Sequence, residues 1–468
     1  MTSQPTYQPP PNGFRTFLIV WITQSISVFG SALTFFSINI WLTQVLFPRP
    51  EQRPQLSYAL SAVALSFALP VVFGAPIAGA WADRHDRKRT MMAMDFVSGL
   101  LSLMLLALIV SNTLNLWMLI ILMVLFAIVG AFHGAAFDTS YAMIVPEEQL
   151  PRANGMMQTM WSLSGILSPM IAATLISIPA LARQGVIPGS IGTALGRLTN
   201  GTPLAITIDA ITFFMASTTL IFLYIPSPKR VDLGGEGSQP RKSMWADIKE
   251  GGLYIWHRRP LLWLLGTFTV ANFVSGPFEV FQPLIVKFNL ANDWVGRGFT
   301  FETALALMAT AGAIGGVAGG FFISTWGGLK SKRVYGVIVA LIVAGLSQIV
   351  FGLSPLLFMT AAMAFMGSSM IPIMNSHSQT IWQTQTPREL QGRVFSVRRL
   401  IAQFTWPLST ALAGWAGGRF NPGTVIAVLG IVLTVFCIAQ LFNPYLLQVE
   451  NKAWLDEMAE ARAQKVMD

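Results

Sequence analysis

Five acidic side chains, Asp95, Asp138, Asp209, Glu279 and Glu302, fall inside or at the edge of long apolar stretches of the chain. An acid at the centre of a bilayer costs about 2.5 to 3.5 kcal/mol on insertion scales, so function is the first reading for each of them. The chemistry open to such a group is proton traffic. An apolar cavity disfavours the charged carboxylate, so the group loads or releases a proton as access to the cavity changes. Asp95 is expected near the inner end of the third stretch, within pairing reach of Arg87 and Lys88. Asp209 opens the sixth stretch, as a proton group or as a hydrogen-bonding anchor, and Glu302 begins a helix, where the dipole favours an acid.

The elements that must hold these residues are membrane helices. Of 468 residues, 53% are hydrophobic and 11% charged, about half the charge of a soluble globular protein, which excludes a water-soluble fold. Twelve stretches of roughly 20 or more apolar residues follow one another, each long enough to cross a hydrocarbon core of about 30 Å. The fold class predicted is all-α, a polytopic membrane protein of twelve transmembrane helices. Residues 1–13 read as a cytoplasmic tail, 14–225 as a six-helix bundle and 226–260 as a cytoplasmic linker with an amphipathic segment. Residues 261–446 read as a second six-helix bundle and 447–468 as another cytoplasmic tail, with the eleventh span placed at 391–418. In the linker, Trp245, Ile248, Gly252 and Ile255 recur at helical spacing as a membrane-facing stripe, with Lys249, Arg258 and Arg259 at the headgroups.

Alternating the spans places 23 of the 30 Lys and Arg on the side of the amino terminus. That asymmetry makes this side cytoplasmic and both termini internal, in a multi-pass protein of the cell (cytoplasmic or inner) membrane. The net charge of +9 then reflects topology and attraction to anionic membrane lipids, and nucleic-acid binding is not expected. The single cysteine, Cys437, excludes an intrachain disulfide, and His85, His133, His257 and His377 are too scattered to write a metal cluster. With no phosphate-binding loop and no nucleophile elbow, neither an enzyme nor a cofactor is expected.

A shift of 241 residues keeps unusual positions in step between the halves: Gly74 and Gly79 fall on Gly315 and Gly320, and Pro146, Glu148 and Arg152 on Pro387, Glu389 and Arg393. A repeat of six helices preserves their orientation, which implies parallel-related halves and alternating access to a midplane cavity. Gly74 and Gly79, and the ladder Gly312, Gly316 and Gly320, offer small faces for close approach of helix backbones.

The segment GAWADRHDRKR, residues 79–89, resembles the signature loop of the major facilitator superfamily, with Asp86 where that loop usually has a second glycine. This form, with VPEEQLPRANGMMQ at 145–158 and TPRELQGRVFSVRR at 386–399, resembles the branch of macrolide efflux pumps and enterobactin exporters. The similarity covers roughly residues 14–446. It implies a secondary transporter that exports hydrophobic or amphiphilic small molecules such as a drug, macrolide or siderophore-like compound, by drug and proton antiport. An importer or lipid flippase on the same fold, and a transport-inactive sensor or assembly factor, stay open beside it. The fourth span lacks the buried arginine of many proton-coupled members, and the fifth reads GILSP where antiporters usually carry Gly-Pro.

The resemblance also implies that the first, fourth, seventh and tenth spans line the cavity. That singles out Asp138 and Glu279 as the proton-coupling candidates. Gln24, His133, Asn272, Asn375, His377 and Gln379 become the candidates for lining the cavity or touching substrate; the 241 shift carries Asp138 onto Gln379. Asn272, Ser275 and Glu279 share a helical face that runs toward the outer mouth. Gly79, Asp83, Arg84, Arg87, Lys88, Asp95, Arg152 and Arg393 are implied to form a cytoplasmic conformational latch.

Overall fold

The computed structural model describes residue 10, residues 12–82, 84–226 and 244–467. Asp83 and the linker stretch LGGEGSQPRKS lie outside the described residues. The chain divides into two compact units, the first reaching to Val231 and the second from Asp232 onward, except that Leu305–Thr310 groups with the first.

The first unit contains α1 (Gly13–Trp41), α2 (Arg53–Ala82), α3 (Arg87–Val110), α4 (Leu116–Ile144), α5 (Leu150–Arg183), the short α6 (Gly189–Gly196) and α7 (Thr202–Ile221). In this unit α1 packs against α5 and α7, α3 against α4 and α7, and α2 against α4. Helix starts are set by local chemistry. Asp86 caps α3 by accepting from Arg89 N (2.8 Å), and Asn115 caps α4 by accepting from Met118 N (3.0 Å).

The second unit comprises α8 (Met244–His257), α9 (Arg259–Ser275), α10 (Phe278–Phe288), α11 (Ala291–Gly296), α12 (Phe301–Trp326), α13 (Arg333–Leu353), α14 (Leu357–Gln385), α15 (Arg388–Arg419), α16 (Pro422–Gln440), α17 (Pro444–Leu447) and α18 (Lys452–Met467). Its core joins Leu261, Leu264, Val334, Val337, Trp382 and Val394 from α9, α13, α14 and α15. Gly327 ends α12 in the left-handed conformation at φ 78°, where a side chain is disfavoured.

Eleven helices or helix pairs among the described residues are long and apolar enough to cross a membrane. The exception is α15, 32 residues long. Arg393, Arg398 and Arg399 lie within the helix, and they lower its hydropathy. The seventh span is broken: α9 stops at Ser275, and α10 starts at Phe278 after Gly276 and Pro277. Gly276 lies directly against Ser409 and Trp406 of α15, leaving no room for a Cβ. The Asn272–Ser275–Glu279 face is therefore interrupted, and Glu279 stands in the first turn of a new half-helix, where the dipole favours an acid.

The amphipathic segment takes a different partner from the one expected. Ile255 is buried and Ile248 packs with it in the second-unit core, because Gly251 lets α8 rest on the Arg393 backbone of α15. Arg393 Nη1 closes the contact on Glu250 Oε2 at 2.8 Å. The membrane-facing stripe of Ile248 and Ile255 is thus replaced by a helix-packing stripe; the Trp245 side chain lies outside the described residues. Tyr254 donates to Gln385 O (2.6 Å). Burial pushes its phenol above the ordinary value, against the pull of Arg258, so it stays a donor at neutral pH.

The carboxyl-terminal segment is helical. Arg258 Nη2 meets Asp456 Oδ1 at 2.9 Å. Glu450 accepts from the Arg333 backbone (2.5 Å) and guanidinium (2.9 Å) at the start of α13.

At the other end of this unit, Asp293 accepts from Leu357 N at 2.8 Å and caps α14, while Arg297 Nε lies 3.0 Å from the same carboxylate. The Leu357 amide first, and then Arg297, hold its carboxyl below the usual carboxylate range. A depressed folded-state value makes this contribution fully present above the unfolded value of about 3.9 and lost as pH falls through the folded value. Asp293→Asn is expected to lower the melting temperature of the purified protein at pH 7 and to converge on wild type in acid; an equal deficit at every pH would contradict this.

Candidate functional site

The polar interior of the first unit is organised in two clusters. In one, Asp95 is buried on α3; Gln24 Nε2 donates to its Oδ2 at 3.0 Å, and His133 Nε2 of α4 lies 3.2 Å from its Oδ1. This corrects the expected pairing with Arg87 and Lys88. Arg87 instead donates to Thr139 O (3.0 Å), and Lys88 to Ile221 O (3.0 Å) at the end of α7, where the helix dipole favours a cation. It also commits Gln24, a cavity candidate, to holding a carboxylate. A buried acid needs such partners, since an unpaired one would be desolvated without compensation.

In the second cluster, Asp209 accepts from Ser31 Oγ (3.2 Å), Thr34 Oγ1 (2.9 Å) and Ser102 Oγ (3.1 Å). It lies within α7 rather than at its start, buried where Gly30 brings α1 against it. Three hydroxyl donors, two from α1 and one from α3, thus hold this carboxylate.

Asp138 stands apart. It is exposed on α4, a turn and a half beyond His133 and near enough to interact with it electrostatically. It makes no hydrogen bond or ion pair among the described residues. Glu279 is likewise exposed in the first turn of α10, without such a partner. Asp138, Glu279 and Glu302, the last in the first turn of α12, are thus the span acids with no hydrogen bond or ion pair among the described residues.

In the second unit, Asn272 Nδ2 donates to Ala402 O at 2.9 Å, tying α9 to α15. Asn375 is exposed on α14, and Gln379, one turn on, accepts from Arg398 Nη1 at 2.8 Å. His377 corrects the reading that placed it in the cavity. It is 2% exposed, its Nε2 accepts from Leu329 N (3.0 Å) and its Nδ1 lies 2.7 Å from Ile373 O. Its ring fills the space left by Gly336. The 241 shift places Gly336 at the position of Asp95. Each unit thus sends a histidine to the same point on the neighbouring helix, where one meets a carboxylate and the other a glycine. No sequence pattern announces this, because the two histidines are offset by one helical turn.

The glycine expectation also changes. A Cβ at Gly74, Gly79, Gly316 or Gly320 would meet nothing within 4 Å, and at Gly312 it would meet Ser368 Oγ at 3.3 Å and Ala364 O at 4.0 Å. Close backbone approach occurs instead at Gly315 and Gly319, against Phe365 and Ser369 of α14. Of the remaining latch candidates, Arg84 is exposed after α2 and Arg152 stacks over Phe14, 5.1 Å from the ring centroid. Arg398 and Arg399 were not singled out from the sequence; the dip in hydropathy over the first turns of α15 is the signal that could have found them.

Residues 20–410 match the sequence profile of the Major Facilitator Superfamily. The chain is 25% identical over 425 residues to Macrolide efflux protein A of Streptococcus pyogenes, covering 89% of this chain and 94% of that one. It is 25% identical over 404 residues to the multidrug efflux pump Tap of Mycolicibacterium fortuitum, covering 83% and 88%. Among solved structures, a bacterial homolog of the human lysosomal transporter Spinster, inward-facing and unoccupied, is similar at a TM-score of 0.61 and 16% identity, covering 97% of this chain and 96% of that one. The nucleoside transporter NupG is similar at 0.57 and 11%, covering 92% and 99%. These two show the shared fold. With its all-α, multi-pass architecture and a profile match over most of its length, the chain belongs to the Major Facilitator Superfamily of membrane transporters.

Proposed function

We propose that this chain is a proton-coupled secondary exporter of hydrophobic or amphiphilic small molecules. It works by alternating access in the cytoplasmic membrane, with both termini inside. The observation that carries the coupling is Asp138, an exposed and unpartnered acid within a span, beside the His133–Asp95 pair. Glu279, equally exposed at the break of the seventh span, is the second proton group. Export is supported by the efflux names of the relatives. Inner-side cations face anionic headgroups, and Gly79, Asp83, Arg84, Arg87, Lys88, Arg152 and Arg393 serve the conformational change.

The energetics are sufficient. One proton moving inward through about 100 mV releases roughly 2.3 kcal/mol, which sustains a gradient of about fiftyfold for a neutral substrate. Cells expressing the protein are expected to accumulate less of at least one compound from a panel of dyes and macrolides, and a protonophore is expected to erase the difference. Equal accumulation with and without the protein across the panel would count against export.

A further inference from the structure

Arg398 and Arg399 of α15 play no part in the reading above. Arg398 and Arg399 lie about 15 Å along the helix from Arg388, at a depth where a cation without a counter-ion is costly. Arg398 Nη1 donates to Gln379 Oε1 (2.8 Å) and Nη2 to Ser378 Oγ (3.4 Å), both on α14. Its guanidinium carbon is 5.2 Å from the Trp382 ring centroid and 6.0 Å from that of Phe268. Trp382 is fully buried and Phe268 nearly so, so they form a wall behind the cation rather than a surface in front of it.

All of these partners are neutral. No acid pairs with Arg398 or Arg399 among the described residues. A guanidinium carries five N–H donors in a rigid fork suited to carboxylate, sulfonate or phosphate. Here one edge is fixed by Gln379 and Ser378, part of the side chain stays open, and Arg399 beside it is exposed. Asn375 and Ser376, exposed on α14, supply further hydrogen-bonding groups. An oriented, desolvated cation with spare donors and no protein anion is built to receive an anion from outside the chain.

We infer that Arg398, oriented by Gln379 and backed by Trp382, binds the anionic group of an amphiphilic substrate, with Arg399 adding a second positive charge. The inference rests on the reading of the protein as a transporter of amphiphiles and narrows its substrate class to those bearing a carboxylate, sulfonate or phosphate. A lipid headgroup offers the same chemistry, so the test separates a soluble anion from a lipid.

Taurocholate, an amphiphilic sulfonate, is titrated into the purified protein by calorimetry, with ethidium as the cationic control. Wild type is expected to bind taurocholate, R398Q to bind it about tenfold or more weakly, and R398K to fall between, since it keeps the charge and loses the fork. Ethidium binding is expected to be unchanged. In phosphatidylcholine vesicles, taurocholate flux is expected to follow the same order. Size-exclusion profile and melting temperature report the fold of each variant; should R398Q unfold, Q379A, which removes only the orienting amide, is expected to weaken taurocholate binding severalfold. Wild type that binds neither taurocholate nor an alkyl carboxylate or alkyl phosphate overturns the inference, as does R398Q with wild-type affinity. Arg398-dependent retention of phosphatidylglycerol with no binding of soluble anions overturns it in favour of a lipid. Arg398-dependent binding of taurocholate without flux under any gradient leaves the anion site standing and removes the transport reading.

Discussion

Gly319→Leu is expected to leave no folded protein to purify, whereas Gly320→Leu, one residue on, is expected to fold with a melting temperature close to that of wild type. At Gly319 an added Cβ would fall on the Ser369 carbonyl of α14, backbone that cannot swing aside as a flexible side chain would. Gly315 stands in the same relation to Phe365. Overpacking a filled interior costs about 1 to 3 kcal/mol and occasionally more, and in a membrane close backbone approach is itself a main source of helix association. Gly320 has nothing within 4 Å of the position a Cβ would take. Yield and monodispersity after detergent extraction check the pair. A folded Gly319→Leu, or an unfolded Gly320→Leu, would contradict the packing described.

Asp138→Asn is expected to abolish transport driven by a pH gradient, by at least about tenfold, while leaving the fold and substrate binding near wild type. The physical reason is the difference between the acids of the first unit. Asp209 is held by three hydroxyls and Asp95 by Gln24 and His133. Protonating Asp209 gives up charge-assisted hydrogen bonds, and protonating Asp95 gives up the one from Gln24, each contributing about 1.5 to 3 kcal/mol. Asp138 has no such bond to lose. Asp95→Asn and Asp209→Asn should therefore show first as lost stability, and Asp138→Asn as lost coupling with stability kept. Thermal unfolding set beside flux distinguishes the two patterns, and a destabilised but still coupled Asp138→Asn would reverse the assignment.

The architecture was legible in the sequence because lipid leaves little choice: a long apolar run must satisfy its own backbone hydrogen bonds, and a helix does so. What was not legible follows from side-chain direction and from partners distant in the chain. In AGAIGGVAGG a helical residue turns the face by about 100°, so the choice between the Gly316–Gly320 edge and the Gly315–Gly319 edge depends on where α14 lies. His133 and His377 looked alike as polar residues in apolar helices. Their different fates depend on what stands across from them, Asp95 in one case and Gly336 in the other. The carboxyl-terminal segment read as a tail because α18 has no apolar stripe; Asp456, through Arg258, ties it to α8, and buried Leu455 packs with the second-unit core.

The coupled-export account meets its most direct test in purified protein reconstituted into liposomes, with a fluorescent amphiphile on one side and an imposed pH gradient of either sign. The account predicts uphill movement of the amphiphile against the direction of proton flow, reversal when the gradient is reversed, and collapse with a protonophore or with Asp138→Asn. Movement that is only downhill and indifferent to the pH gradient would contradict it.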